Sequence, residues 1–369
     1  MSAVRQSTPR LAGRYLTLRA RRAALRMTNH RRAARCLGSS WRISVCAVAA
    51  CTSIPEPDAA TDAAPGAAPG AFVVEANVVV GRAPHGIRFS SDGARAYVAL
   101  SGDDSIAILD ARSLRVMEKR AAGQTPLDLV ALDGGDWLVT QFRGDALITL
   151  GTGVRSRVGK GPSLFSPRTP GGKAYVVSEF ADTLTVVDLA RREVTARHAT
   201  GRRPYPADVT KDGRLAFVPN RTDSTVSVVD LRGDRRPATT FVCERPEGGA
   251  LTEDDEWYVV ACGGSGELAY ISTKSFQVVT RIRDGLGERP FSVAMTPDGR
   301  FGVVNNAGDS TVSVLDVAQR RIVARLVVGQ KPIVVRMHPD GRRAFVSNED
   351  SGTVTVLRLP APLFSPVRR

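Results

Sequence analysis

A Gly-x-x-Pro element recurs down this chain, with its prolines at Pro84, Pro126, Pro162, Pro204, Pro246, Pro290 and Pro332. The spacings are 42, 36, 42, 42, 44 and 42 residues. A period near forty marks a repeat architecture: one unit cannot bury its apolar face alone and stacks on its neighbours. In the fifth unit Cys243 stands in place of the glycine. Such a repeat specifies a scaffold, and scaffolds host many activities, so function must be argued from a site.

The sixth unit is the clearest copy. Gly287-Glu-Arg-Pro290 leads into an apolar run that ends at Pro297-Asp298-Gly299-Arg300. A second run, 301–306, reaches Ala307-Gly-Asp309-Ser310; a third covers 311–316 and a fourth 321–328. Runs of Val, Thr and aromatic residues bounded by turn residues read as short strands. Asp-Gly between two of them predicts a hairpin with a type I′ turn. The same dipeptide stands at Asp92-Gly93, Asp212-Gly213 and Asp340-Gly341, with Gly171-Gly172 as a variant. Asp110, Asp230 and Asp316 each follow the turn Asp by eighteen residues and close the third strand.

Four antiparallel strands per unit, repeated seven times, predict an all-β, seven-bladed β-propeller, which protects its strand edges by closing a ring. Phe72-Val-Val-Glu-Ala-Asn-Val-Val-Val80 precedes Gly81 as 322–328 precedes Gly329. The last unit offers only three strands before Pro360. Residues 72–80 are therefore expected to complete the seventh blade and close the ring.

At Ala96-Tyr97-Val98-Ala99, Ala174-Tyr175-Val176-Val177, Ala216-Phe217-Val218-Pro219-Asn220 and Ala344-Phe345-Val346-Ser347-Asn348 the chain resembles the YVTN-repeat β-propellers, a WD40-like repeat family. Each segment precedes an Asp/Ser/Thr turn and a run such as Ser224-Thr-Val-Ser-Val-Val-Asp230. The resemblance covers residues 72–359 and implies a bacterial protein of surface or periplasmic type. Blades two and five depart from it, with Trp137-Leu-Val-Thr-Gln141 and Tyr258-Val-Val-Ala-Cys262.

The formal charge of +14 invites a nucleic-acid reading. Residues 1–50 hold eleven of the 51 cations and no Asp or Glu, which leaves 40 cations against 37 anions, a net of +3. A ring so near neutrality has no electrostatic footprint for nucleic acid. No apolar run is long enough to span a bilayer.

The first fifty residues read as an Arg-rich leader and export signal, and Met27 would give a start of normal length. Val48-Ala49-Ala50-Cys51 resembles a bacterial lipobox, with Cys51 as the lipidation site. Arg31-Arg32 carries no twin-arginine signal. Residues 51–71, rich in Ala, Pro and Gly, suit a tether; residues 360–369 form a tail. The expectation is an exported monomer in the cell envelope, lipid-anchored and facing periplasm or exterior, which meets membrane through its lipid alone.

Cys243 and Cys262 replace the Gly that opens the Gly-x-x-Pro element and the Asn that ends the second strand. Both positions fall at the same end of blade five, which predicts a disulfide in an oxidising compartment.

The usual catalytic motifs are absent: no Gly-x-Ser-x-Gly elbow, phosphate loop, His-Glu-x-x-His, EF-hand or Cys-x-x-Cys. His85 opens the inner strand of blade one and His338 ends that of blade seven, about 17 Å apart along the axis. His198 lies on an outer strand. No metal and no cofactor is expected, and the Asp/Ser/Thr turns read as Asp and Ser bonding their own backbone two residues on.

The place to look for a ligand is the channel mouth at the proline end. Arg203, Arg245, Arg289 and Lys331 stand just before their prolines and would form an arc of positive charge suited to an anion. His85, Asp128, Tyr205, Glu247 and Phe291 follow the prolines and would complete the site. The reading is a non-enzymatic scaffold that binds a small anionic ligand or an envelope protein. The alternative is a lactonase-type propeller enzyme, with His85, Asp128 and Glu247 as its candidates, or an accessory subunit of an oxidoreductase.

Overall fold

The computed structural model describes residues 71–233 and 237–360. The leader, Cys51, the tether and residues 361–369 lie outside the described residues. Seven four-stranded antiparallel sheets follow one another along the chain. Their inner strands are Pro84–Phe89, Leu129–Ala131, Pro162–Phe165, Asp208–Val209, Pro246–Leu251, Pro290–Met295 and Pro332–Met337. In the seventh sheet the outer strand is Val73–Val79, paired antiparallel with Thr353–Arg358. The ring is thus closed by its first strand, as the sequence pattern predicts.

The cores lie between blades. Ile87, Val98 and Leu109 of blade one pack on Phe345, Val354 and Val356 of blade seven. Phe217, Val226 and Val228 of blade four meet Tyr258, Val260 and Ile271 of blade five. Second and third strands are therefore covered on both faces and read as continuous apolar runs. Outer strands such as Glu193–Ala199 alternate between exposed and half-buried residues, the pattern of a strand with one wet face.

The corner residues have specific partners. A Cβ on Gly201 would lie 2.6 Å from the side chain of Asn220, whose Oδ1 accepts from the Gly201 amide at 3.0 Å. Asn220 Nδ2 donates to Thr225 Oγ1 and Ser227 Oγ at 2.9 and 2.8 Å. Asn306 and Asn348 repeat the Nδ2 contacts in blades six and seven, where the Gly287 and Gly329 amides donate instead to Ser313 Oγ and Thr355 Oγ1 at 3.2 and 3.3 Å. The paired positions touch in each of these blades. In blade five they are Cys243 and Cys262, with Cα atoms 5.9 Å apart and the sulfurs bonded.

Two turn expectations are corrected. At the Asp-Gly turns only the glycine takes positive φ, as at Gly93 (φ 71°). The Gly93 amide donates to the Ser90 carbonyl at 2.8 Å, so a type I turn precedes a left-handed glycine, whereas type I′ needs positive φ at both central residues. At the Asp/Ser/Thr turns the carboxylate reaches back to the corner loop instead of its own backbone. Asp103, Asp223 and Asp309 accept from the amides of Arg82, Arg202 and Glu288 at 3.0, 2.7 and 2.9 Å. The bond to the amide two residues on occurs at the Asp-Gly turns, for example Ala94 to Asp92 at 2.9 Å.

Candidate functional site: the axial channel

The residue before the proline of each Gly-x-x-Pro corner takes a left-handed backbone. Ala83, Thr125, Arg203, Arg245, Arg289 and Lys331 have φ between 49 and 54°, and Gly161 has 69°. This recurrence in all seven corners makes it architectural, since a β-branched or long residue is disfavoured at positive φ unless its surroundings fix it.

The predicted cationic arc is largely neutralised by carboxylates from other strands. Arg203 is held by Glu179, and Lys331 Nζ lies 2.7 Å from Glu349 and 3.5 Å from Asp350. Arg245 and Arg221 share Glu247 Oε1, each at 3.3 Å. Arg289 makes no ion pair among the described residues, and its Nε is buried without a partner. Arg221 also donates to the Tyr205 hydroxyl at 2.9 Å, and Tyr205 meets Phe291 edge-on at 5.9 Å. His85 Nε2 stands 3.9 Å from Glu349. Burial pushes His85 down to about 4 despite Glu349, so its ring is neutral near pH 7. Burial raises the Glu247 carboxyl and the Tyr205 hydroxyl, against the pull of Arg221.

Asp128 lies deeper and does not join this mouth. It is fully buried and receives Arg88 in a two-pronged contact, Nε–Oδ1 3.1 Å and Nη2–Oδ2 2.6 Å. The amides of Leu129 and Phe165 donate to it at 2.9 and 3.0 Å. A carboxylate so engaged is a structural anchor for Arg88. With Glu247 on two arginines and Asp128 on Arg88, the three candidates for lactonase chemistry are not brought together as free groups.

An apolar plug crosses the axis between these features and the other end. Leu164 of blade three packs with Ile333 and Val334 of blade seven and Phe291 of blade six. Leu164, Ile333 and Val334 also line a cavity of 330 Å³, of which they form the floor. The cavity faces the end opposite the prolines, where Phe89, Met295 and Met337 line it together with Arg88, Arg168, Asp208 and Arg336.

Three of its charged residues, Arg88, Asp208 and Arg336, share one register. Four residues after each proline stand Arg88, Val130, Ser166, Asp208, Ala250, Ala294 and Arg336. The small side chains of blades five and six leave the space, and blades seven, one and four supply the charge. Sequence reasoning passed over these positions because it searched the corner loops. A charged residue in the middle of an inner strand is the signal that could have found them.

The three arginines differ in how far the protein satisfies them. Arg88 is bound to Asp128. Arg168 pairs with Asp255 and donates to the carbonyls of Val209, Leu251 and Thr252. Among the described residues Arg336 donates only to its neighbour's carbonyl, Nη1 to Val335 at 3.3 Å. Its Nε is buried with no partner. The nearest carboxylate oxygen, Asp128 Oδ2, is 4.0 Å from Nη2 and already serves Arg88 and Phe165. The Arg336 side chain is 17% exposed. Burial and the neighbouring Arg88 push it down to about 10, so it is charged at neutral pH with five N–H donors and one bond. Asp208, 2% exposed, accepts from the amides of Val209 and Leu251 at 2.8 and 2.9 Å. Burial raises its carboxyl, with Arg168 the main opposing charge.

Among the described residues no group of three or more His, Cys, Asp or Glu side chains is placed to hold a metal ion, and no helix is long and apolar enough to cross a membrane.

No family model matches the chain. A segment of 143 residues is 27% identical to Protein NirF of Pseudomonas aeruginosa, a match covering 36% of this chain and 36% of that protein. The fold is similar to a chain of Kuenenia stuttgartiensis hydrazine synthase, with TM-score 0.67, 20% identity and coverage of 76% of this chain and 97% of that one. It is also similar to a streptogramin B lyase, with TM-score 0.65, 13% identity and coverage of 78% and 98%. The virginiamycin B lyase of Staphylococcus aureus gives TM-score 0.65 and 13% identity, with coverage of 78% and 100%. At these identities the structures share the ring and nothing finer.

Proposed function

We propose that this chain is a YVTN-type binding propeller, without catalytic chemistry of its own, whose axial cavity takes a small anion at Arg336. The observation that carries this reading is the guanidinium itself. A buried charge with so few partners is costly, and this one lines an open cavity with an apolar wall. A ligand that supplied two acceptors to Arg336 would complete a bidentate contact of the strong kind. The engagement of Asp128 and Glu247 by arginines supports a binding role over lactonase chemistry. Export and lipid attachment at Cys51 remain part of the proposal on the sequence pattern alone, and the Cys243–Cys262 bond agrees with an oxidising compartment.

The test is a thermal-shift panel of small carboxylates, phosphates and sulfonates on the wild type and on Arg336→Met. A ligand at a hundred times its Kd contributes about 2.7 kcal/mol, which raises Tm by roughly 4 °C for a ring of about 290 residues. Arg336→Met should abolish that shift. A panel in which no anion moves the wild-type Tm refutes the reading.

A further inference from the structure

The cavity also carries information about what its ligand is. Only one guanidinium lacks a close counter-ion, because Arg88 is held by Asp128 and Arg168 by Asp255. One guanidinium therefore has no carboxylate bound directly to it. The rest of the lining is Phe89, Leu164, Met295, Met337 and the small Ala250 and Ala294. Such walls suit an apolar body, with thioethers that adapt to its shape.

Asp208 shares this cavity. Two amides donate to it, Ser166 Oγ stands 3.5 Å away, and no ion pair engages it among the described residues. The groups that face it are Arg168, its main opposing charge, which also pairs with Asp255, then Arg336 across the cavity, and the buried Tyr258 hydroxyl, which Asp208 pushes further up. Glu253, on the cavity rim, is bound by Lys211 at 2.8 Å. Arg336 is thus the second cation, and the uncommitted one, that supports an ionised Asp208. An anion seated on Arg336 would cancel that support and place a second negative charge in a dry space. Like charges in a low-dielectric site cannot both remain ionised.

Resting on the anion-site reading above, we propose that the cavity's ligand is a small apolar monocarboxylate, and that its binding transfers one proton from solvent to Asp208. The charges balance: the ligand enters as carboxylate, one proton joins the Asp208 carboxylate, and the net charge of the cavity is unchanged. Dicarboxylates and phosphate dianions carry a charge the cavity does not match.

The experiment is isothermal titration of the full chain with butanoate, benzoate and phenylacetate, with succinate and inorganic phosphate alongside. It is run at pH 6, 7 and 8, in PIPES and in imidazole at pH 7 to count protons. Expected are binding of the monocarboxylates, strongest for those that fill the cavity, uptake of close to one proton, and affinity that falls by up to tenfold per pH unit. Asp208→Asn should bind without proton uptake and without pH dependence. Monocarboxylate binding with equal heats in both buffers and flat affinity overturns the proton coupling and leaves the Arg336 site standing. Preference for succinate or phosphate overturns the ligand class. No binding by any of the five, with no thermal shift across the wider panel, overturns the anion site itself.

Discussion

Arg336→Met should make the empty protein more stable. The guanidinium is driven down from its ordinary value to about 10 by burial and Arg88, and each unit of such a shift is about 1.4 kcal/mol. The folded state therefore carries a penalty of roughly 3 kcal/mol for holding this cation. Methionine keeps the apolar stem and loses the charge; it also loses the 3.3 Å bond to the Val335 carbonyl, worth about 1 kcal/mol. The net gain is about 2 kcal/mol, and Tm should rise by roughly 3 °C. The sign follows from the base: with a depressed folded value, the penalty is complete below about pH 10 and fades only above it. The gain should therefore be flat from pH 6 to 9. Differential scanning calorimetry of ligand-free wild type and variant measures it. A Tm that falls, or a gain that changes across this range, would mean that Arg336 is satisfied within the protein and that the cavity holds no unmet charge.

Further expectations concern the rest of the channel and the blade-five link. Asp128→Asn strands Arg88 and weakens two buried amide contacts, and chemical denaturation should show a loss of about 3–5 kcal/mol. Reducing Cys243–Cys262, which closes a loop of nineteen residues, should cost about 3 kcal/mol; the double change Cys243→Gly, Cys262→Asn should recover part of this by restoring the corner pair of blades four, six and seven. His85, held down to about 4, favours the neutral ring in the fold. Its share of stability is present above about pH 6.5 and lost as pH falls toward 4, up to roughly 3 kcal/mol. His85→Asn should flatten that segment of the pH–stability curve, and an unchanged slope would remove His85 as its source.

The ring was legible because its signals are local. Gly-x-x-Pro spacing, Asp-Gly turns and the strand left over at residues 72–80 each sit within a few residues, and the disulfide follows from mapping two cysteines onto the repeat. The site was less legible because its partners come from distant blades. Nothing near Arg203 in sequence announces Glu179, and nothing near Lys331 requires Glu349 to face it. Asp128 was visible as a charge after a proline, but its pairing with Arg88 depends on how two inner strands lie side by side. Arg336 and Asp208 lie within runs that read as core, where a charge is easily taken for a strand-end residue.

The Leu164–Ile333–Val334–Phe291 plug makes the bore a cup. These side chains stand between the proline-end mouth and the cavity that Arg336 lines. The arginine–carboxylate mouth and the Arg336 cavity become two separate addresses on one molecule. A ligand on Arg336 and one at the mouth would therefore touch different residues.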